Sequence, residues 1–262
     1  MRPVPTLDLE TRLLTRAPLV VGMDEVGRGA LAGPVAVGAV AVGPAQIDQG
    51  APAGLADSKL LTARARERLT APAAAWAAAW AVGWASAQEI DQVGIVGALR
   101  RAGRRALAHI AGPAAPSAPP SDRAASGDSA PPAGRPASDA SRPAPPPAVG
   151  DGQADVRDGI VLLDGSQDWL SDPPADLFDP ARGDPPLLAR GVVTRVKADQ
   201  ACAAVAAASV LAKTRRDAHM AHLAELHPGY GWEGNKGYGT AAHKAAIGRL
   251  GPSPEHRWTW RL

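Results

Sequence analysis

A stretch of forty residues in the middle of the chain constrains the fold more than any other feature. Residues 111–150 contain no Leu, Ile, Met, Phe, Tyr or Trp, and they hold eleven of the 26 prolines. Such a stretch cannot bury enough apolar surface to offset the entropy lost on ordering. A rigid polyproline spacer is the alternative, but Ser, Ala, Gly and Asp interrupt the prolines. We therefore predict a disordered insertion at residues 111–158, between the two parts of one folded domain at residues 1–110 and 159–262.

The composition narrows the class of protein without naming a function. The formal net charge is only +2, so the overall charge does not by itself indicate a nucleic-acid-binding protein. Cys202 is the one cysteine, which excludes an internal disulfide and a cysteine-based zinc site. The first 16 residues lack the apolar core of a signal peptide, and no uncharged apolar run of about 18 residues occurs. We expect a cytoplasmic protein that does not span a membrane.

The two flanks of the insertion alternate between short apolar runs and helical patterns. We predict strands at residues 19–23, 35–42, 80–87, 160–163 and 191–196. We predict helices at residues 62–69, 93–110 and 200–226, with Thr62 as the N-cap of the first and further helix near the C-terminus. This order indicates a mixed α/β sheet and not a doubly wound one.

Polar side chains on two of these helices have simple interpretations. Four arginines of the helix at residues 93–110 fall on the side away from its apolar residues, and we expect them to face solvent. We also expect His219, His222 and His227 to face solvent, because no cysteine or acidic ligand set accompanies them. Asp217 follows Lys213 by one helical turn, which predicts an ion pair.

Four carboxylates come at or just after the ends of predicted strands. Asp24 and Glu25 follow the first strand, Asp164 follows the fourth, and Asp199 comes shortly after the fifth. In α/β sheets, ligand sites collect at the carboxyl ends of strands. Carboxylates about 4 Å apart repel one another by several kcal/mol at an intermediate dielectric, and divalent cations relieve that repulsion. Oxygen ligands without Cys or His favour Mg²⁺ or Mn²⁺, so the pattern suggests a site for phosphodiester hydrolysis.

Each of these carboxylates also has a purely structural interpretation. Asp199 is a candidate N-cap for the helix that follows it, and Asp164 with Gly165 is typical of a turn. Asp24 and Glu25 are neighbours, so in a regular strand their side chains point to opposite faces. They can share a metal site only if the strand ends or bulges there. Spacing alone leaves both interpretations open.

An ordered series of longer motifs runs through the chain outside the insertion. The motifs are GMDEVGRGALAGPVAVGAV at residues 22–40, DSK at 57–59, LLDG at 162–165, VKAD at 196–199, AAASVLAKTRRD at 206–217, HPGYGWEGNKGYGT at 227–240 and HRWTW at 256–260. The first resembles the D-E-x-G-R-G signature of the type 2 ribonuclease H family, and the others resemble that family's motifs in the same order. One departure is Ala30, where the family often has proline.

The resemblance implies a fold, an activity and a set of metal ligands. The implied fold is an α/β, RNase H-like mixed five-stranded sheet with flanking helices and a C-terminal helical extension. The implied enzyme is a monomer that cuts the RNA strand of RNA/DNA hybrids and cuts 5′ of ribonucleotides in duplex DNA, leaving 3′-hydroxyl and 5′-phosphate ends. Two Mg²⁺ or Mn²⁺ ions would be held by Asp24, Glu25, Asp164 and Asp199.

The resemblance also implies residues that contact the substrate. Gly27, Arg28 and Gly29 match a turn whose backbone contacts the ribose 2′-hydroxyl, the group that separates RNA from DNA. Tyr238 matches a tyrosine that packs against the sugar beside the junction, and Lys59 is expected to be a phosphate contact or a scaffold lysine. The alternatives are a tight turn that needs positive φ at the glycines and a partly buried core tyrosine.

Two other functions are compatible with the same fold. One is a catalytically silent module that binds RNA/DNA hybrids, which the complete acidic set disfavours. The other is a nuclease or integrase that acts on DNA alone, which the glycine turn and Tyr238 disfavour.

Overall fold

A mixed five-stranded sheet forms the centre of the molecule. The computed structural model describes residues 3–112, 154–172 and 184–262. Its strands are β1 (Val20–Val26), β2 (Val35–Val42), β3 (Ala79–Ala85), β4 (Ile160–Asp164) and β5 (Gly191–Arg195). They are ordered β3-β2-β1-β4-β5; β2 pairs antiparallel with β1 and β3, whereas β4 pairs parallel with β1 and β5. The predicted mixed α/β sheet is confirmed.

Helices cover both faces of this sheet. They are α1 (Asp8–Leu14), α2 (Pro44–Gln49), α3 (Ala63–Trp76), α4 (Ala87–Ala111), α5 (Ala198–Ala201), α6 (Ala203–Leu226), α7 (Trp232–Asn235) and α8 (Ala241–Leu250), with a 3₁₀ turn at Ser58–Leu60. Alternate residues of each strand pack against α6 on one face and α4 on the other. A third apolar cluster joins α7 and α8 to the end of α6. These packed helices are the predicted C-terminal helical extension. In the described ranges, no helix is long and apolar enough to cross a membrane.

Small residues allow α6 to lie very close to the sheet. A Cβ added at Gly38 of β2 would lie 2.3 Å from the carbonyl oxygen of Ala208, and one at Gly22 of β1 would lie 2.4 Å from the carbonyl carbon of Ala204. Such distances are shorter than any ordinary contact, so the facing positions must be glycine and the helix must present small side chains. The alanine-rich sequence of α6 therefore has a packing function.

Two predicted helices differ from the observed ones in their extent. Thr62 is the N-cap of α3 as predicted, with its hydroxyl accepting from the Ala65 amide at 3.2 Å, but α3 extends to Trp76. The fourth helix begins at Ala87 and not at residue 93, because Ser86 and Glu89 form a capping box at its start. The apolar period is clear only after Gly94, where the backbone has φ +72 and interrupts the helix.

The predicted helix at residues 200–226 is two helices. Cys202 has an extended backbone and forms a bridge with Thr6, so α5 ends there and α6 starts anew. The Thr6 carbonyl accepts from the Ala203 amide at 2.9 Å, and the Glu10 carboxylate accepts from the Ala204 amide at 2.9 Å. These partners come from the N-terminal segment, so no local pattern around Cys202 reveals the break.

Two predictions of solvent exposure are wrong. Arg100 and Arg104 of α4 are buried, because residues 168–172 and 184–185 cover this side of the helix. Arg104 donates to the Leu170 carbonyl at 2.9 Å, and Arg100 lies 3.4 Å from the carboxylate of Asp184. His219 is also buried, with its ring edge against Trp84 at a centroid distance of 5.6 Å.

The ends of the predicted insertion belong to the folded domain. Ala111 is the last residue of α4, and the Ala154 amide donates to the Ile110 carbonyl at 3.2 Å. Val156 is fully buried in the cluster on the α4 face. The insertion predicted at residues 111–158 is therefore too long at both ends. The rest of that prediction, at residues 113–153, lies outside the described residues.

Candidate active site

Asp24 and Glu25 lie within β1 and do not follow it as the sequence suggested. Asp24 is opposite Gly38 and Glu25 is opposite Val37 in the ladder with β2. The ladder with β4 ends earlier, at Met23. The strand is regular here, so the two side chains point to opposite faces. Asp24 lies on the α6 face with Gly22, whereas Glu25 lies on the α4 face.

Asp164 and Asp199 are joined through the start of α5. Asp164 is the last residue of β4, and its Oδ1 accepts from the Ala198 amide at 2.7 Å and from the Asp199 amide at 3.4 Å. Asp164 therefore caps α5, and Asp199 is not the N-cap that the structural interpretation assigned to it. Gly165 has φ +96, so a turn does follow Asp164. Capping by Asp164 holds Asp199 beside it.

The three aspartates form a region of crowded negative charge. Burial raises the pKa of Asp24 well above its ordinary value, and the charges of Glu25 and Asp164 raise it further, while Ser209 and Lys59 oppose the shift. Burial also raises the pKa of Asp199, with the charge of Asp164 as the next cause. Both side chains would thus hold protons more tightly than a free aspartate does.

Lys59 is the cation beside this group. Its Nζ lies 3.3 Å from Oδ2 of Asp199, although 66% of its side chain is exposed. Burial lowers the pKa of Lys59, but the charges of Asp24, Asp199 and Asp57 outweigh it and raise the pKa overall. Lys59 was predicted to be a phosphate contact or a scaffold lysine, and in this structure its ammonium group faces the carboxylates.

Glu25, on the opposite face of β1 from Asp24, forms an ion pair with an arginine. Its Oε1 lies 3.2 Å from Nη1 of Arg28, and Nη2 of Arg28 donates to Oε1 of Gln167 at 3.3 Å. Arg28 therefore links Glu25 to the loop after β4. This contact is exposed, so it is weak and exchangeable.

The donor set fits a hard divalent cation although no metal cage is preassembled. Among residues 3–112, 154–172 and 184–262, no three or more His, Cys, Asp or Glu side chains are grouped closely enough to hold an ion. The oxygen donors are carboxylates, which suit Mg²⁺ and Mn²⁺. The mutual repulsion of Asp24, Asp164 and Asp199 is the kind that a bound cation relieves. Coordination by all four residues would require Glu25 to leave Arg28.

The two glycines of the predicted recognition turn differ in what the fold demands of them. Gly27 has φ +86, and a Cβ there would lie 2.1 Å from Nε of Arg216, so glycine is required by the structure. Gly29 is exposed, and a Cβ there would meet no atom within 4 Å. The tight-turn interpretation therefore explains Gly27 and leaves Gly29 unexplained.

Tyr238 lies directly beside this turn. It forms a bridge with Ala30, and the amide of Leu31 donates to the Gly237 carbonyl at 2.8 Å. The ring is half-buried, with the guanidinium of Arg216 at 5.6 Å from its centroid. The predicted ion pair nearby is confirmed, since Nζ of Lys213 lies 2.6 Å from Asp217. Tyr238 is thus only partly covered, and Nζ of Lys213 also lies 5.8 Å from its ring centroid.

Several residues near the site were not predicted to belong to it. Asp57 is buried and accepts from the Lys59 amide at 2.9 Å and from Gln200 Nε2 at 3.3 Å. Arg216 and Arg257 are fully buried beneath the glycine turn. All of these residues except Gln200 lie inside the motifs DSK, TRRD and HRWTW. Their position in these motifs is the sequence feature that could have identified them as residues of the site.

Comparison with known proteins gives the family. The sequence model described as ribonuclease HII matches residues 21–107 and 180–262. The ribonuclease HII of Streptomyces coelicolor is 36% identical over 258 residues, covering 98% of this chain and 83% of that protein. The ribonuclease HII of Hyphomonas neptunium is 39% identical over 245 residues, covering 92% of each.

Solved structures agree on the fold. A ribonuclease HII from Archaeoglobus fulgidus, solved in complex with PCNA, aligns with a TM-score of 0.56 at 20% identity, over 93% of this chain and 96% of that one. The ribonuclease H2 of Pyrococcus horikoshii aligns with a TM-score of 0.52 at 20% identity, over 93% of this chain and 94% of that one. On the sequence matches and the shared fold, the chain belongs to the ribonuclease HII family and is a type 2 ribonuclease H, a hydrolase.

Proposed function

We propose that this enzyme hydrolyses the RNA strand of RNA/DNA hybrids and cuts on the 5′ side of ribonucleotides embedded in duplex DNA. The products would carry 3′-hydroxyl and 5′-phosphate ends. The observation that carries the proposal is the position of the turn at residues 27–29. It follows the acidic pair of β1 after Val26, it leads into Ala30, which forms a bridge with Tyr238, and it presents an exposed glycine that the fold does not require.

The catalytic centre in this proposal consists of Asp24, Glu25, Asp164 and Asp199, which would hold two Mg²⁺ or Mn²⁺ ions. When bound, the ions would activate the attacking water and stabilise the leaving oxygen. The three aspartates already lie on one face of the sheet end, while Glu25 must first leave Arg28. A solved ribonuclease HIII of the same fold (TM-score 0.53 at 18% identity) is a complex with Mn²⁺, which supports the choice of ion.

Substrate recognition in this proposal depends on the backbone of the turn. Because Gly29 has no side chain and lies in open space, a ribose can approach its amide closely. The exposed part of the Tyr238 ring would pack against the neighbouring sugar. Lys59 would exchange its contact with Asp199 for a backbone phosphate, which positions the duplex without reading its sequence. The protein would act as a monomer in the cytoplasm.

The proposal is tested with three duplexes of one sequence: all-DNA, DNA with a single ribonucleotide, and an RNA/DNA hybrid. Each is incubated with Mg²⁺ or Mn²⁺, and the cut position and end groups are mapped. We expect cleavage of the second and third, with the cut 5′ of the ribonucleotide. Comparable cleavage of the all-DNA duplex would contradict the proposal. Binding of the hybrid without turnover in either metal would indicate the silent binding module.

A further inference from the structure

Two buried arginines lie beneath the recognition turn and donate to main-chain carbonyls. The guanidinium of Arg257 donates to the carbonyl oxygens of Gly27 at 2.6 Å, Arg28 at 2.8 Å and Gly33 at 3.2 Å. Arg257 is fully buried, and burial lowers its pKa to about 9. Burying a guanidinium is unfavourable unless its N–H groups form hydrogen bonds. The bonds to these three carbonyls meet that requirement, and they stabilise this conformation of the turn.

The geometry of the peptide bond shows what Arg257 does to the turn. In a trans peptide the carbonyl and the following amide point in opposite directions. Arg257 draws the Gly27 and Arg28 carbonyls into the protein, so the amides of Arg28 and Gly29 are directed outward. Both residues are exposed. Two neighbouring amides that face outward form a small concave donor site, suited to an oxygen acceptor.

Arg216 holds the segment that returns from the turn. It donates to the Pro34 carbonyl at 2.9 Å, to the Lys236 carbonyl at 3.0 Å and to the Ala32 carbonyl at 3.3 Å. Its guanidinium also lies against the ring of Tyr238. Arg216 thereby contacts both the segment after the turn and Tyr238, and it fixes the distance between the turn and the tyrosine.

We propose that Arg257, assisted by Arg216, is a positioning residue for ribonucleotide specificity. Arg257 touches no substrate; it aims the Arg28 and Gly29 amides at the 2′-hydroxyl oxygen of the scissile ribonucleotide. This inference rests on the proposed function, because it assumes that the turn recognises a ribose. A lysine in place of Arg257 cannot reach three separated carbonyls, since its donors sit on one atom and lack the planar fork.

The test measures specificity and not activity alone. Wild type and Arg257→Lys are compared on a duplex with one ribonucleotide and on the same duplex with a 2′-fluoro nucleotide, whose fluorine accepts hydrogen bonds poorly. We expect Arg257→Lys to reduce the ratio of the two kcat/KM values by about 10-fold or more, because orientation of the two donors is lost. The Mg²⁺ concentration for half-maximal rate should not change.

Arg104→Lys is the matched control, because Arg104 is also a buried arginine that donates to carbonyls but belongs to α4, away from the turn. It should leave the specificity ratio as in wild type. An unchanged ratio in Arg257→Lys, with only the loss of stability that Arg104→Lys shows, would overturn the inference. If Arg257→Lys does not fold, Arg216→Lys is judged by the same ratio. A wild-type enzyme without ribonucleotide preference would overturn the proposed function and this inference together.

Discussion

Asp24 illustrates, at the scale of single residues, a conflict between folding and metal binding. Its side chain is 3% exposed, and its raised pKa shows that the folded protein disfavours its charge. An uncompensated buried charge destabilises the native state. A neutral residue at this position would therefore make the folded state more stable than aspartate does.

Asp24→Asn should accordingly stabilise the metal-free protein. We expect a gain of about 1 to 2 kcal/mol in the free energy of unfolding, because the buried charge is removed and, with it, the repulsion from Glu25 and Asp164. Added Mg²⁺ should raise the Tm of the wild type and not that of the variant. Thermal denaturation with and without metal measures both effects. A lower Tm for the metal-free variant would show that Asp24 has a structural function.

The two glycines of the turn should respond differently to alanine. Gly29→Ala should keep the wild-type Tm but reduce kcat/KM on a single-ribonucleotide duplex by about 10-fold or more, because a methyl group blocks the approach of the ribose. Gly27→Ala should lose about 2 kcal/mol of stability or more, since its φ is positive and Arg216 occupies the space.

Gly248→Ala in α8 is the control for these variants, because a Cβ there also meets open space. It should leave activity unchanged and stabilise the helix by about 0.5 to 1 kcal/mol. A fully active Gly29→Ala enzyme would remove the turn from substrate recognition.

Residue identities were easier to predict from sequence than residue geometry. The motifs indicated Asp24, Asp164, Asp199 and Tyr238, and the structure brings the aspartates to one sheet end and Tyr238 to the turn. The adjacency of Asp24 and Glu25 allowed either opposite faces or a shared site, and the motifs did not decide between them or indicate the contact of Glu25 with Arg28. That arrangement depends on how far β1 stays paired with β2, which is a tertiary property.

Helix α6 shows what sequence can and cannot reveal at the scale of secondary-structure elements. Its small residues and its C-terminal end at Leu226 were evident, and the small residues match the glycines of β1 and β2 that it covers. Its start was predicted wrongly, because the Thr6 carbonyl and the Glu10 carboxylate satisfy its first amides from almost two hundred residues away. Capping by distant partners leaves no local pattern.

Substitution of Glu10 tests this cap. Glu10→Ala should reduce the free energy of unfolding by about 1 to 2 kcal/mol, because the Ala204 amide loses its acceptor in a buried position. Glu10→Gln keeps the acceptor oxygen, and burial already raises the pKa of Glu10, so its loss should be smaller. Urea denaturation measures both. Equal losses in the two variants would mean that charge, not the hydrogen bond, stabilises α6.

At the scale of the whole molecule, a hydrogen-bonded chain of two neutral histidines connects the C-terminal segment to Tyr238. The Ser253 amide donates to Nδ1 of His256 at 2.9 Å, so the proton of His256 is on Nε2, which faces Nε2 of His243 at 3.2 Å. Nδ1 of His243 then donates to the Tyr238 carbonyl at 2.9 Å. Burial, and next the neighbouring His243, lower the pKa of His256 to about 4.

Acid should therefore weaken the fold through His256. The unfolded chain binds a proton near pH 6.5 and the folded protein only near pH 4, so this contribution is complete above pH 6.5 and is lost as pH falls to 4. The loss amounts to about 3 kcal/mol. Asp24 and Asp199 act in the opposite direction, because their pKa values are raised.

Comparing wild type with His256→Asn separates the contribution of His256 to the pH dependence of stability from the contributions of Asp24 and Asp199. The free energy of unfolding, measured by urea denaturation between pH 7 and pH 4, should fall less steeply with acid in the variant. Parallel curves for the two proteins would show that His256 does not titrate in this range.

Turnover by Asp199→Asn is the most direct test of the proposed metal ligands. Asp164 caps α5, so Asp199 has no capping function to lose, and its side chain is joined to Lys59 alone by an ion pair in the described residues. Asp48→Asn is the control, because Asp48 is exposed in α2 at the opposite end of the sheet. On a single-ribonucleotide duplex with Mg²⁺, we predict a loss of about 100-fold or more for Asp199→Asn, with wild-type folding and duplex binding. A fully active Asp199→Asn enzyme would contradict the assignment.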